Sequence, residues 1–390
     1  MALRAGTRRT VACVLVGLGT LLIVAAVLMP TYALGQLSKT PLDLEVTTIA
    51  ANSPNAPSQV LEANSLTSGD GPAKIDSNVR LISQRYLTVE DPSDKNEMTI
   101  QAGQTLRNID AQGDTGLLSA TIDRVTIDRK DGMPVEDDPN GSIAVATDSK
   151  GNSVADPVQH DGLQYRFPIG TDKQTYPYFD VNVRKSSDMN FVEQTEINDL
   201  KVYHFQQKIP ATDLSKVVSS PTNQLTFPAA KWGVPGGSTS ITMNRYYTNT
   251  RDVWVEPETG TIIKGSEQIH LYYARSADKP DLTALQSTLV FDDNTVNSQI
   301  AIAKQNMDKI SMYGRTLPII LGVVGVIALA VGLVLGLRGN GNEKPGRLVK
   351  PKNPRGTSAT AANAPSAGFS GFGANPTDPP TQQLNIPRND

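Results

Sequence analysis

The chain has one cysteine in 390 residues, three histidines and two tryptophans. Each scarcity excludes something. The single thiol, Cys13, sits inside an apolar run, so no disulfide staples the fold and a domain of this size stands on its core alone. His160, His204 and His270 show neither HExxH nor HxH spacing. Glu267 and His270 make an ExxH, which needs a helix to bring both side chains to one face, and that segment reads as a strand. The acid-rich "DRKDGMPVEDDPNG" lacks the DxDxDG rhythm of a calcium loop and reads as a solvated loop. There is no GxGxxG and no GxxxxGK[ST]. "VPGGSTSIT" lacks the strand–GxSxG–helix setting of a nucleophile elbow, so Ser238 and Ser240 read as turn residues. No catalytic residue, cofactor or metal site is therefore expected.

Charge is also missing from two long stretches. Val11–Leu28 and Leu317–Leu337 contain no ionisable side chain apart from the Cys13 thiol. As helices rising ~1.5 Å per residue, each is long enough for a hydrocarbon core of about 30 Å. Arg4, Arg8 and Arg9 precede the first, and Arg338, Lys344, Arg347, Lys350, Lys352 and Arg355 follow the second. Cationic flanks favour the cytoplasmic side. We expect a cytoplasmic N-terminus (1–10), a first span (11–30), an extracytoplasmic domain (31–316), a second span (317–337) and a disordered cytoplasmic tail (338–390). A cleaved signal peptide is the alternative for the first span, with Thr31-Tyr32-Ala33 as its small-residue site; eighteen apolar residues are long for such a peptide. Segment 30–316 carries ten more acidic than basic residues, which argues against nucleic acid as a partner.

Between the spans, turn-forming clusters such as "VEDPSDKNE", "NIDAQGDTG", "TDSKGNS" and "EPETG" separate short runs rich in Val, Ile, Thr and Tyr. That cadence predicts a mostly β (α+β) fold: a large antiparallel, barrel-like domain strung between two transmembrane helices. In "YFDVNVRK", Phe179, Val181 and Val183 alternate with Asp180, Asn182 and Arg184, predicting a strand with one wet face. "EQIHLYYAR" places Ile269, Leu271 and Tyr273 on one face. "VWVEPETGTII" predicts a hairpin, with Pro257 starting the turn and Gly260 closing it in a left-handed conformation. The spacing of Val296, Ile300, Ile302, Met307 and Ile310 predicts a helix over about 294–313, halted near Gly314 and leading into the second span.

Aromatics make up only 5% of the chain, yet Tyr165, Phe167, Tyr176, Tyr178 and Phe179 crowd into Asp161–Asp180. Composition favours cross-strand packing, each pair worth roughly 0.2–1 kcal/mol. A ligand-binding wall made of the same five residues is the alternative.

This stretch, with "LSKTPLDLEVTT", "LKVYHFQQKIPATDL" and "VWVEPETGTIIKGSEQI", resembles the porin PorA family of mycolic-acid-bearing actinobacteria, over nearly the whole chain except the tail. The span–ectodomain–span layout is also similar to class B scavenger receptors, which carry a lipid-conducting tunnel. The resemblance implies a protein held in the plasma membrane and a role in maturation of lipomannan and lipoarabinomannan. The expected function is to bind or transfer an amphipathic membrane lipid or lipoglycan. The alternatives are a scaffold for envelope glycosyltransferases and an envelope glycan enzyme. A porin is disfavoured, because an outer-membrane barrel avoids long apolar helices.

Overall fold

A computed structural model describes residues 5–338 except 38, 54, 70 and 147–152. The tail assigned above to 338–390 therefore lies, beyond its first residue, outside the described residues, as do positions 1–4 of the N-terminal segment.

Helix α1 (Ala5–Leu37) leads into strands β1 (Glu45–Asn52) and β2 (Ser58–Leu61), the short helix α2 (Ala63–Thr67), and β3 (Ile75–Val79), β4 (Leu81–Glu90), β5 (Glu97–Asn108) and β6 (Leu117–Asp128). Next come β7 (Gly141–Ala146), β8 (Ser153–Val158), β9 (Tyr176–Asp180), β10 (Lys185–Ile197), β11 (Leu200–Asp213) and β12 (Gln224–Pro228). The single turn α3 (Ala229–Trp232) precedes β13 (Ser240–Glu256), β14 (Thr261–Ala274) and β15 (Leu282–Phe291). The chain then runs into α4 (Asp293–Ser311) and, through a π-helical turn over Met312–Thr316, into α5 (Leu317–Leu337).

All fifteen strands join one sheet, whose main path is β8-β7-β6-β5-β4-β1-β15-β14-β13-β11-β10-β9, every ladder antiparallel. The fold is mostly antiparallel β, as expected, but the sheet is open. No ladder joins β8 to β9. Instead the segment between them, residues 159–175, closes the seam. Leu163 N donates to Pro177 O and Phe179 N donates to Leu163 O, both at 2.8 Å. Pro177 explains why the join stays short: it offers a carbonyl to that edge but has no N–H to continue a ladder. Side chains do the rest. Ile143, Val158 and Phe179 pack across the seam, and Arg184 Nη2 reaches Asp156 Oδ2 at 2.8 Å.

The Pro257–Gly260 hairpin forms as its sequence predicts. Gly260 has φ +70° and donates to Glu256 O at 2.9 Å, while the Glu256 carboxylate accepts from Glu258 N and Thr259 N. Gly260 is required twice over, since a Cβ there would stand 2.1 Å from Phe167 O. The seam segment docks on this hairpin through Phe167 N to Gly260 O and Thr171 N to Pro257 O.

Two local expectations are corrected. "YFDVNVRK" is not one strand: β9 ends at Asp180, whose Oδ1 accepts from Asn182 N and Val183 N to form a turn, and Arg184 follows at φ +51°. Asp180 is fully buried rather than wet. Gly314 does not halt the helix either; one π-turn absorbs it and the helical run continues from Asp293 to Leu337.

α4 starts at an Asp292 cap, whose carboxylate accepts from Thr295 N at 2.7 Å, and packs Val296, Ile300 and Ala303 on Leu200, Val202 and Ile263 of the sheet. α1 and α5 lie side by side, and both are long and apolar enough to cross a membrane. Their backbones nearly touch: a Cβ on Gly19 would stand 2.6 Å from Leu329 N, and one on Gly332 would stand 2.9 Å from Val16 N. Small residues at such crossings let dispersion and backbone contacts replace a hydrophobic drive that lipid does not supply.

Candidate functional site

The open sheet encloses a narrow cavity, partly open to solvent. Its walls come from strands far apart in sequence: Thr48 of β1, Ser83 and Arg85 of β4, Gln104 of β5, Tyr178 and Phe179 of β9, Arg251 of β13, and Glu267 of β14, with Gln164 and Tyr165 from the seam. Strand alternation puts them there. In β4, Leu81, Ser83, Arg85 and Leu87 share one face, so a polar pair rides on the same parity as two core leucines.

One side of the cavity is an ion network. Arg251 donates to Asp180 Oδ2 (2.8 Å), Glu267 Oε1 (2.8 Å) and Gln207 Oε1 (2.7 Å). Tyr247 OH adds a bond to Asp180 Oδ2 at 3.1 Å, and the guanidinium lies 5.5 Å from the Tyr178 ring centre. Burial works against the Arg251 charge, but Glu267 and Asp180 outweigh it and hold its pKa well above the ordinary arginine value. For Glu267, burial pushes upward, yet Arg251 and then Arg85 pull harder, so its carboxyl titrates below the usual range.

Opposite stands Arg85. Its Nε and Nη2 donate to a single neutral acceptor, Gln104 Oε1, at 3.1 and 3.0 Å, and it lies 5.6 Å from the Tyr165 ring centre. No carboxylate pairs with it among the described residues.

The seam holds a second buried cluster around Asp123. Its carboxylate accepts from Gln164 Nε2 (2.7 Å) and Tyr165 OH and bonds His160 Nε2 (2.9 Å). His160 Nδ1 and Gln164 Oε1 are buried without a partner. Burial, and then the Asp123 charge, raise the Tyr165 pKa well above its ordinary value, so its phenol stays neutral.

Of the five aromatic candidates, Tyr165, Tyr178 and Phe179 line the cavity. Phe167 and Tyr176 pack instead with Leu163, Met189, Phe205 and Val255, Phe167 and Phe205 having ring centres 4.9 Å apart. Sequence reading missed Arg85, Gln104, Gln164, Arg251 and Glu267. Strand parity in "LISQRYLTVE" was the available signal for the first. The three histidines are scattered: His160 in the seam, His204 stacked on Trp254, and His270 beside Thr283. Ser238 lies exposed in a turn and Ser240 is the exposed first residue of β13.

The Porin PorA family model matches residues 11–334. A relative from Corynebacterium resistens, named Porin PorA, is 30% identical over 405 residues, covering 85% of this chain and 97% of its own. A second Porin PorA, from Corynebacterium amycolatum, is 30% identical over 380 residues, covering 83% and 98%. These findings bear out the family resemblance and overturn the expected lipid or lipoglycan carrier, for they support porins and carry nothing on lipid transfer. A porin, disfavoured above, is what the relatives' names support. Long apolar helices exclude a barrel that crosses the membrane with its strands; they do not exclude a channel built in another way. The family and the two apolar helices mark the chain as a membrane or envelope protein.

Proposed function

The chain belongs to the PorA porin family, and we propose that it is a non-enzymatic, channel-forming protein of the cell envelope. The observation that carries this reading is the family match over 11–334, which takes in most of both apolar helices and the whole sheet. On this reading α1 stays attached, α1 and α5 both cross the bilayer, and the cationic flanks keep both termini on the cytoplasmic side. The helix pair is packed backbone to backbone at Gly19, Gly325 and Gly332. The transmembrane path is then formed between several copies, and the sheet domain, with its polar cavity, serves as the vestibule.

The test is conductance of the purified full-length protein in planar bilayers. Discrete steps that scale with added protein are expected. Protein shown to be inserted with both helices protected, yet electrically silent over a range of voltages, would overturn the reading.

A further inference from the structure

We propose that the sheet cavity holds a binding site for a small oxyanion that also carries a hydroxyl group, with Arg85 as its anchor. Arg85 and Arg251 face the same cavity, but only Arg251 has its charge answered, by Asp180 and Glu267. Arg85 spends two N–H bonds on the neutral Gln104 oxygen. A guanidinium has five N–H donors in a planar fork. The remainder present the geometry that carboxylates and phosphate monoesters take as paired hydrogen bonds.

The acids near the site do not fill this role: Asp252, which also lines the cavity, bonds His204 Nε2 and accepts from Gln206 Nε2 instead. Glu267 is bonded to Arg251 at 2.8 Å. Asp123 lies behind Tyr165, with its oxygens taken by His160, Gln164 and Tyr165. Neutral tyrosines at 165 and 178 form the walls and add no competing anion.

The second observation is Gln164. It is 7% exposed, lines the cavity, and its Oε1 has no partner. Its orientation is fixed, because Nε2 must face the Asp123 carboxylate at 2.7 Å, which leaves the carbonyl oxygen as the unused end. A buried acceptor without a donor is costly, and a ligand hydroxyl supplies that donor while its acid group sits on Arg85. As a station on a solute path the site rests on the channel reading; as a binding site it does not.

Full-length protein in detergent, at constant ionic strength in chloride, is titrated by calorimetry with glycerol 3-phosphate, glycerate and n-propyl phosphate. We expect saturable binding of a hydroxyl-bearing anion, and tighter binding of glycerol 3-phosphate than of n-propyl phosphate. Arg85→Gln weakens binding at least about tenfold, and Arg85→Lys, which keeps the charge but loses the fork, falls between. Absence of saturable binding for both glycerol 3-phosphate and glycerate overturns the site. So does unchanged affinity in a folded Arg85→Gln protein, and equal affinity for the two phosphates removes the hydroxyl requirement. Conductance is recorded on the same preparations: steps without anion binding refute this site alone, and binding without steps refutes the channel alone.

Discussion

Arg251 and Arg85 are chemically identical, line one cavity, and have opposite surroundings. Arg251 sits among two carboxylates, a glutamine and an aromatic face, with its tyrosine neighbour bonded to the same Asp180 oxygen. Arg85 meets one neutral amide oxygen and the edge of solvent. A buried cation whose three nitrogens each donate to a partner ties strands β9, β11, β13 and β14 together; it is a structural charge. A half-buried cation with spare donors is a charge left available. Alternation along a strand puts either kind on the inner face, so the inner face alone does not tell them apart.

Removing Arg251 should give the largest effect. Arg251→Met strands Asp180 and Glu267 as unpaired charges, and breaking a buried pair from one side costs about 3–5 kcal/mol. A urea unfolding midpoint close to wild type would erase the distinction between the two arginines. Gly260→Ala comes next, at about 2–4 kcal/mol, because the residue needs φ +70° and its new methyl meets Phe167 O. It attacks the seam rather than the ion network, so the protein should also lose protease resistance first within 159–175. Cleavage elsewhere first would mean that the hairpin does not hold the seam.

Of the two arginines, acid should act mainly on the surroundings of Arg251. The folded-state pKa of Glu267 is depressed, so its carboxylate contributes stability above the ordinary glutamate pKa, and that contribution is lost as pH falls through the lowered value. Glu267→Gln should therefore be less stable than wild type at pH 7, with a shallower loss of stability below about pH 4.5. Parallel melting curves from pH 6 to 3 would show that the Glu267–Arg251 bond contributes nothing.

How much of this was legible in the sequence depends on range. The apolar helices follow from uncharged runs, and the Pro257–Gly260 hairpin from a turn signal a few residues long. Asp180 was misread because local alternation ran on through Val181 and Val183, while its own carboxylate was folding the chain back onto Asn182 and Val183. The cavity was hidden for a different reason. Arg85 meets Gln104 across one ladder, but Arg251 and Glu267 approach from strands more than 150 residues away, and Gln164 arrives with a seam that depends on Pro177. Composition showed that the 161–180 aromatics mattered; only the closed seam divides them between core and cavity.

The smallest expected effects come from Arg85 itself. Arg85→Gln gives up hydrogen bonds to one neutral amide and a ring contact worth roughly 0.5–1 kcal/mol at a semi-exposed site. The Gln104 oxygen it leaves behind can turn to water, so stability should fall by less than about 1 kcal/mol. A double-mutant cycle separates this from long-range charge effects, since Arg85 is felt at Glu267 through space but is not bonded to it. Coupling between Arg85→Gln and Glu267→Gln should stay below about 0.5 kcal/mol, while the cycle between Arg251→Met and Glu267→Gln should exceed 1 kcal/mol, as contacting partners do. Equal coupling in the two cycles would make the arginines one network, and Arg85 would then be as structural as its neighbour.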